Sequence, residues 1–385
     1  MRAPAAPVRP EDLALDPHPY LHRLRADMPV AWLDSLETWL VTDHRLCSEV
    51  MLDPVTYTVD DPRFSTQQVI GPSMLSLDGT EHRRHREPFS QPFRAAEIKA
   101  LEARTRDTAN ELMTRAAASG TADLRSRVAG PLAVEIMTGV LDLGGVSAEE
   151  VLAWYQDIVD AVHAVTQGGD VPASGVIAFE SLKSAVAGSL SSSSLLQPVD
   201  QAGSLEVDEI VSNVAVLLFG GIVTAESGTA IALRTLLLDD DLTSRLDENR
   251  ALVAPFVDEV FRLEPSAAVV DRYATRDVTL AGAEIRDGDL VRVSLSAANR
   301  DPAVFPDPDS LDLSRENLGK SLTFARGPHA CLGIHLARLE TRAAVEALLD
   351  QPGAVEPDPV PVTGLVFRAP ETVQATWSDG GQSHN

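Results

Sequence analysis

Cys331 lies in LTFARGPHACLGIHLARLE, where a loop bearing glycine and proline turns into an amphipathic helix. A sulfur at the start of a helix sits near unsatisfied backbone N–H groups and the positive end of the helix dipole, which favour the thiolate over the thiol. A thiolate so placed is a good ligand for iron. Gly327 and Gly333 permit close approach of backbone or of a flat macrocycle, and Phe324 can shield the sulfur from water. The other cysteine, Cys47, falls in HRLCSEVML after a predicted strand and reads as a small buried residue.

A second group with chemical content is VLLFGGIVTAESGTAIALR, residues 216–234. Adjacent glycines, Gly220 and Gly221, interrupt an almost wholly apolar helix, and Thr224 follows four residues past the first. Each glycine costs a helix interior about 1 kcal/mol relative to alanine, so room for a flat ligand is the expected compensation. A threonine in such a helix also commonly bonds the carbonyl four residues back, and these residues alone leave both roles of Thr224 open.

Charged residues supply two further patterns. Glu259 and Arg262 are three apart on one predicted helix face. An isolated pair of this kind is usually a surface salt bridge, but Phe256, Val260 and Phe261 around it favour burial. In LDGTEHRRHREPF, His82 and Arg86 are four apart, with Arg83 and Arg84 between them. His82 and His85 also have the look of metal ligands, although the neighbouring arginines fit an anionic ligand better.

Phe324, Gly327, Cys331 and Gly333 match the FxxGxxxCxG haem loop of the cytochrome P450 family, and the chain resembles that family from VTDHRLCSEVMLDP to its last strands. The resemblance implies a mainly α fold with small β-sheets, a triangular helical domain around a buried haem b, with Cys331 as the metal ligand. By the same resemblance His82, Arg86, Arg272 and His329 hold the haem propionates through charge-assisted hydrogen bonds. Glu259 and Arg262 become an ion pair behind the haem loop. Gly220 and Gly221 leave space for O2 and substrate, and Thr224 is the oxygen-side threonine. The implied reaction is oxidation of a small organic substrate, of the secondary-metabolite kind and free or carrier-tethered, by hydroxylation or a related step. Ferredoxin and ferredoxin reductase are the implied electron donors, with Arg83, Arg84, Arg94 and Arg338 as a docking face. Arg83 and Arg84 equally suit a solvated basic surface.

Two positions depart from the family. Val223 stands where an acid usually precedes the threonine, and Glu226, about 200 degrees round the helix from Thr224, is no simple replacement. Ser310 in PDPDSLD stands where Arg or His commonly completes the ion-pair network, so either Arg315 substitutes or the pair stands alone. The loss at Val223 keeps other readings in view: a haem-thiolate binding or sensing protein without turnover, or a peroxide-driven or radical-coupling variant.

The elements that must position these residues follow from period and punctuation. DPHPYLHRLRADMP predicts a short helix, VAWLDSLETWLVTD two strands around a turn, and Leu101 to Leu190 helices broken at Gly130-Pro131, Gly144-Gly145 and Gly168-Gly169. SLSSSSLLQPVDQAG suggests a solvated connector. Val207 to Leu238 predicts one long central helix, apolar all round. Another helix ends at FRLEP, RYATRDVTLAGAEIRDGDLVRVSL predicts short strands, Leu332 to Leu349 a helix, and GLVFRAPETVQATW a final hairpin. Substrate-lining residues are expected from STQQVIGPSMLS, the central helix, AAVV and VTGL.

The 385 residues suit one domain, with residues 1–12 as a flexible start. A net charge of -25 argues against nucleic acid or an anionic membrane as partner of the whole surface. No signal-peptide core or membrane span opens the chain, and a cytoplasmic monomer is expected.

Overall fold

The structure is a computed structural model that describes residues 8–166, 169–351, 353–356 and 358–377. The fold is mainly helical with small sheets, and the chain forms two compact units. The larger is built from Met1–Tyr57, Glu102–Leu132 and Thr224–Asn385, the smaller from Thr58–Leu101 and Ala133–Val223.

In the larger unit a five-stranded sheet has the order Val30–Leu33, Thr38–Val41, Leu290–Ser294, Val269–Ala274, Tyr57–Thr58. The first two strands pair antiparallel, as their alternation predicts, around a short turn ending at Glu37. Leu290–Ser294 joins Thr38–Val41 in parallel, with Thr38 opposite Leu290 and Val41 opposite Val293. The two faces bury different sets. Trp32, Trp39 and Val41 pack with Cys47, Val50 and Met51, while Ala31, Leu33 and Leu40 pack with Leu13, Leu21 and Leu24. This is the period-2 division expected of a sheet buried on both sides. Val8 belongs to the second set, and Pro10–Leu15 is a helix. Of the expected flexible start, residues 1–7 lie outside the described residues.

The chain's last strands do not form a hairpin with each other. Ala369–Pro370 pairs with Val362–Thr363, and Gln374–Trp377 joins Thr121–Asp123 and Ala354–Val355 in a three-stranded sheet. The physical reason lies in the turns: Gly364, at φ 125, supplies a reversal upstream, whereas Glu371–Val373 has no glycine to make a second one.

Helix Glu102–Ala118 ends before Gly120, at φ 73, and the strand Thr121–Asp123 follows. Gly130-Pro131 is not a break. A π-helical turn, Arg125–Ala129, runs directly into helix Gly130–Leu141, and Pro131 falls in the first turn, where a missing N–H is harmless. Helices Ala148–Thr166 and Ala173–Ser189 pack in the smaller unit, close enough that a Cβ on Gly175 would lie 2.5 Å from the Ala161 Cβ. Of the expected Gly168-Gly169 break, Gly168 lies outside the described residues.

The serine run is structural rather than a solvated connector. Ser189 Oγ accepts from the Gly144 N–H at 3.0 Å, and Ser193 Oγ donates to the Leu141 carbonyl at 2.8 Å. Both serines are buried, and helix Leu196–Gln201 continues from them with Leu196 and Val199 inward. Short hydroxyl side chains bond nearby backbone and so close a turn that composition alone suggests is solvated.

The central helix is continuous from Val207 to Leu237. Among the described residues it alone is long and apolar enough to cross a membrane, but 67% of its most apolar window is buried in the protein, as a core helix requires.

Candidate functional site

In the larger unit the cysteine loop is shaped by backbone. Ala325 and Gly327 both adopt positive φ, 56 and 75, and a tight turn over Gly327–His329 leads to Cys331, whose N–H donates to the Phe324 carbonyl at 2.8 Å. A Cβ on Gly327 would lie 2.5 Å from the Met51 carbonyl, so only glycine lets the loop rest on helix His44–Leu52. Helix Ile334–Leu349 begins three residues after Cys331, with Gly333 as its N-cap. Cys331 is exposed, and Cys47 is wholly buried, which pushes its thiol pKa up. The burial of Cys47 is as its sequence context predicts.

Phe324 stands edge-on to Phe261 at 5.6 Å between ring centres, and the Arg338 guanidinium lies 5.3 Å from the Phe324 ring. Arg338 also donates to Asp258 at 2.6 Å. A ring held by an aromatic edge and a cation has little freedom.

Behind the loop, Glu259 and Arg262 form a bidentate pair with both bonds 2.7 Å, and neither side chain has any exposure. Arg315 supplies the third member, donating to Glu259 Oε1 at 2.8 Å, and the Asp312 N–H adds a bond at 3.1 Å. Burial alone would raise the Glu259 carboxyl, but hydrogen bonds from Arg262 and Arg315 outweigh it and hold the pKa below the ordinary value. Ser310 contributes only its carbonyl, which both arginines share. Of the two alternatives at Ser310, the structure therefore has Arg315 substituting.

One residue in this arrangement carries no motif. Asn299, fully buried, gives its carbonyl to Arg262 at 2.8 Å, accepts from the Leu322 N–H at 2.6 Å, and donates to Thr323 Oγ1 at 2.8 Å. It couples the ion pair to the start of the cysteine loop. The segment AANRDP offers only a polar residue next to a charged turn, and no spacing rule marks it.

The central helix has a local opening. Its residues from Ile210 to Leu218 are buried, yet Phe219, Gly220, Val223 and Thr224 are not, and they share one face at spacings of one and four. A Cβ on Gly220 would meet nothing within 4 Å. Gly221 differs: its Cβ would lie 2.9 Å from Met137 Sδ, so this glycine makes room for a helix neighbour and not for a ligand. A third glycine, Gly228, lets Phe261 approach to 2.8 Å of where its Cβ would be. Glu226 is held by Arg125 at 2.8 Å and is thereby committed elsewhere.

These glycines give a direct test. Gly220→Ala is expected to raise stability by about 1 kcal/mol through helix propensity, whereas Gly221→Ala is expected to gain less because Met137 must shift. Urea unfolding midpoints should rise more for Gly220→Ala than for Gly221→Ala.

The remaining predicted positions divide between the units. Arg272 is buried on strand Val269–Ala274 and donates to the Asp271 carbonyl at 2.7 Å, and His329 is half-buried in the cysteine loop. In the smaller unit His82 is buried and Arg86 half-buried on helix Gly79–Ser90. His85 Nδ1 lies 2.9 Å from the Asn213 amide nitrogen, and among the described residues no cluster of three metal-ligating side chains occurs. The four arginines expected to form a docking face differ in their surroundings. Arg84 is bound to Glu81 and Glu209, at 2.8 and 2.6 Å, and Arg338 to Asp258, while Arg83 and Arg94 are exposed.

An exposed cysteine in a glycine-shaped loop that leads into a helix fits an iron-bearing cofactor. The comparisons with known proteins agree. The Cytochrome P450 family profile matches residues 188–351. Nocardicin C N-oxygenase of Nocardia uniformis subsp. tsuyamanensis is 30% identical over 95% of this chain and 97% of its own. Mycinamicin IV hydroxylase/epoxidase of Micromonospora griseorubida is 31% identical over 89% and 86%. Among solved structures, CalO2 is similar with a TM-score of 0.83 at 27% identity, covering 95% of this chain and 97% of that one. P450BioI, solved with a ligated acyl carrier protein, shares the fold with a TM-score of 0.86 at 24% identity, covering 95% and 99%.

The chain belongs to the cytochrome P450 family. It is a haem-thiolate oxidoreductase whose cofactor is haem b and whose co-substrate is O2.

Proposed function

We propose that this chain is a cytoplasmic monooxygenase that oxidises a small secondary metabolite with electrons from a ferredoxin. The cysteine loop is the observation that carries the reading: a cysteine in a glycine-shaped turn closed by its N–H bond to the Phe324 carbonyl, braced through Asn299 by a buried ion pair. Cys331 binds the iron as thiolate, and His82, Arg86, Arg272 and His329 take the propionates. The haem, when bound, supplies the activation of O2, favoured by the electron density of a thiolate ligand. The protein's part is to orient substrate, exclude water and deliver protons. Relatives named for nocardicin C and mycinamicin IV support a natural-product substrate. Incubation with ferredoxin, its reductase and a natural-product library tests the reading; failure of every compound both to shift the Soret band and to be oxidised would count against it.

Thr224 would be the hydroxyl that passes a proton towards O2, while Val223, half-buried one residue earlier, can neither donate one nor order water. Glu226 is engaged by Arg125. The proton path then runs through Thr224, pocket water and a polar group of the substrate itself. An analogue lacking that group is expected to bind normally but to divert electrons to peroxide, and Val223→Glu is expected to restore part of the lost product. Equal coupling for substrate and analogue, unchanged in Val223→Glu, would remove substrate assistance from the mechanism.

A further inference from the structure

The turn and loop following helix Ser65–Ile70 are tied to the central helix by two successive buried side chains. Asn213 Oδ1 accepts from the Met74 N–H at 2.8 Å, and its Nδ2 donates to His85 Nδ1 at 2.9 Å and to the Glu209 carbonyl at 2.7 Å. Ser212 Oγ donates to the Ile70 carbonyl at 2.5 Å. Gly71, at φ 80, permits the reversal, and a Cβ there would lie 3.2 Å from Ser212 Oγ. Ser73 and Ser76 close the loop on itself, with the Ser73 N–H donating to Ser76 Oγ at 3.1 Å.

The orientation of Asn213 is fixed by its surroundings. Its amide nitrogen faces two acceptors and its oxygen faces a backbone donor, so a flipped amide would mismatch both ends. His85 Nδ1 must then accept, and its Nε2 lies between Glu209 Oε1 at 3.4 Å and Arg84 Nη2 at 3.2 Å. Arg84 grips the same carboxylate through both oxygens. Burial lowers the His85 pKa, consistent with a neutral ring, although Glu209 opposes the shift.

Asn213 precedes Gly220 by seven residues, which returns to nearly the same face of the helix two turns on, about 10.5 Å along its axis. The loop is therefore seated at the N-terminal rim of the opening at Phe219, Gly220 and Val223. We propose that Asn213, aided by Ser212, is a positioning residue that seats the Gly71–Ser76 loop as the near wall of the substrate space. This rests on the monooxygenase reading, in which that helix face meets substrate. Without the amide, Met74 loses its acceptor and the wall becomes mobile, so a ligand large enough to touch it loses contact while a small one is unaffected.

The test uses the haem-loaded protein and two probes, imidazole and 4-phenylimidazole, with hydrogen exchange of the Met74 amide as an independent readout. Asn213→Leu, close in volume, is expected to speed Met74 exchange at least tenfold, and to weaken 4-phenylimidazole at least threefold with imidazole unchanged. Asn213→Asp keeps an acceptor for Met74 and should restore its protection. Ser212→Ala, which frees the Ile70 carbonyl, provides a milder variant should Asn213→Leu not fold, with the same signs expected. Unchanged Met74 exchange in Asn213→Leu, or in Ser212→Ala where that replaces it, overturns the proposal. Equal weakening of both azoles overturns it as well, because a general loss of structure would do that. A protein that fails to take up haem defeats the monooxygenase reading, while the exchange arm still decides whether Asn213 seats the loop.

Discussion

Cys331→Ser is expected to eliminate the thiolate-type spectrum of the reduced CO complex completely, and with it monooxygenase turnover. A serine hydroxyl does not ionise near neutral pH, so the replacement removes the anionic ligand while nearly preserving its volume. The loop should keep its shape, because its turn is held by the Cys331 N–H bond to the Phe324 carbonyl and by Asn299 at its start. Far-UV circular dichroism should therefore match the parent. Cys47→Ser is the control. Its sulfur is buried and donates to the Val41 carbonyl, so that variant should lose stability yet retain the spectrum. A parent-like CO spectrum in Cys331→Ser would show that another residue holds the iron.

Arg262→Ala is expected to cost about 3–5 kcal/mol, the range for breaking a buried ion pair by removing one partner. The loss is large because Arg262 also satisfies carbonyls of Asn299, Pro308 and Ser310. Arg315→Ala leaves Glu259 with Arg262 and the Asp312 N–H, so about 1–3 kcal/mol is expected. Urea titration would measure both, and equal losses would mean that the two arginines are not ranked as the geometry ranks them. The pH dependence has a definite sign. Glu259 is depressed in the folded protein, so its contribution is present above its unfolded value near 4.5 and is lost as pH falls through the lower folded value. Glu259→Gln should lower stability at neutral pH and flatten that acid limb.

The legible parts of this protein were those with a strong period or a rigid motif. The central helix, the sheet strands and the Glu259–Arg262 helix follow from apolar spacing, and the cysteine loop from four fixed positions. What the sequence concealed depends on partners far away along the chain. Asn299 and Asn213 look like ordinary polar residues until Leu322 and Met74 are brought to them. Gly220 and Gly221 are indistinguishable in a one-dimensional pattern, yet one faces open space and the other faces Met137. The serine run misled because a buried capping hydroxyl and a solvated one have the same composition.

The parallel pairing of Thr38–Val41 with Leu290–Ser294 has a kinetic consequence. Thr38 and Leu290 are 252 positions apart, and a bond from Thr38 Oγ1 to the Leu290 carbonyl at 3.0 Å reinforces the same join. Such non-local contacts raise contact order and slow folding, since loop closure must precede any gain from pairing. On a ribosome adding roughly 5–20 residues per second, the first two strands emerge well before their neighbour exists. Their hairpin leaves Thr38–Val41 with an edge that stays unpaired for on the order of tens of seconds. Newly made chains should accordingly be most prone to aggregate, and most dependent on chaperones, during that interval rather than after release.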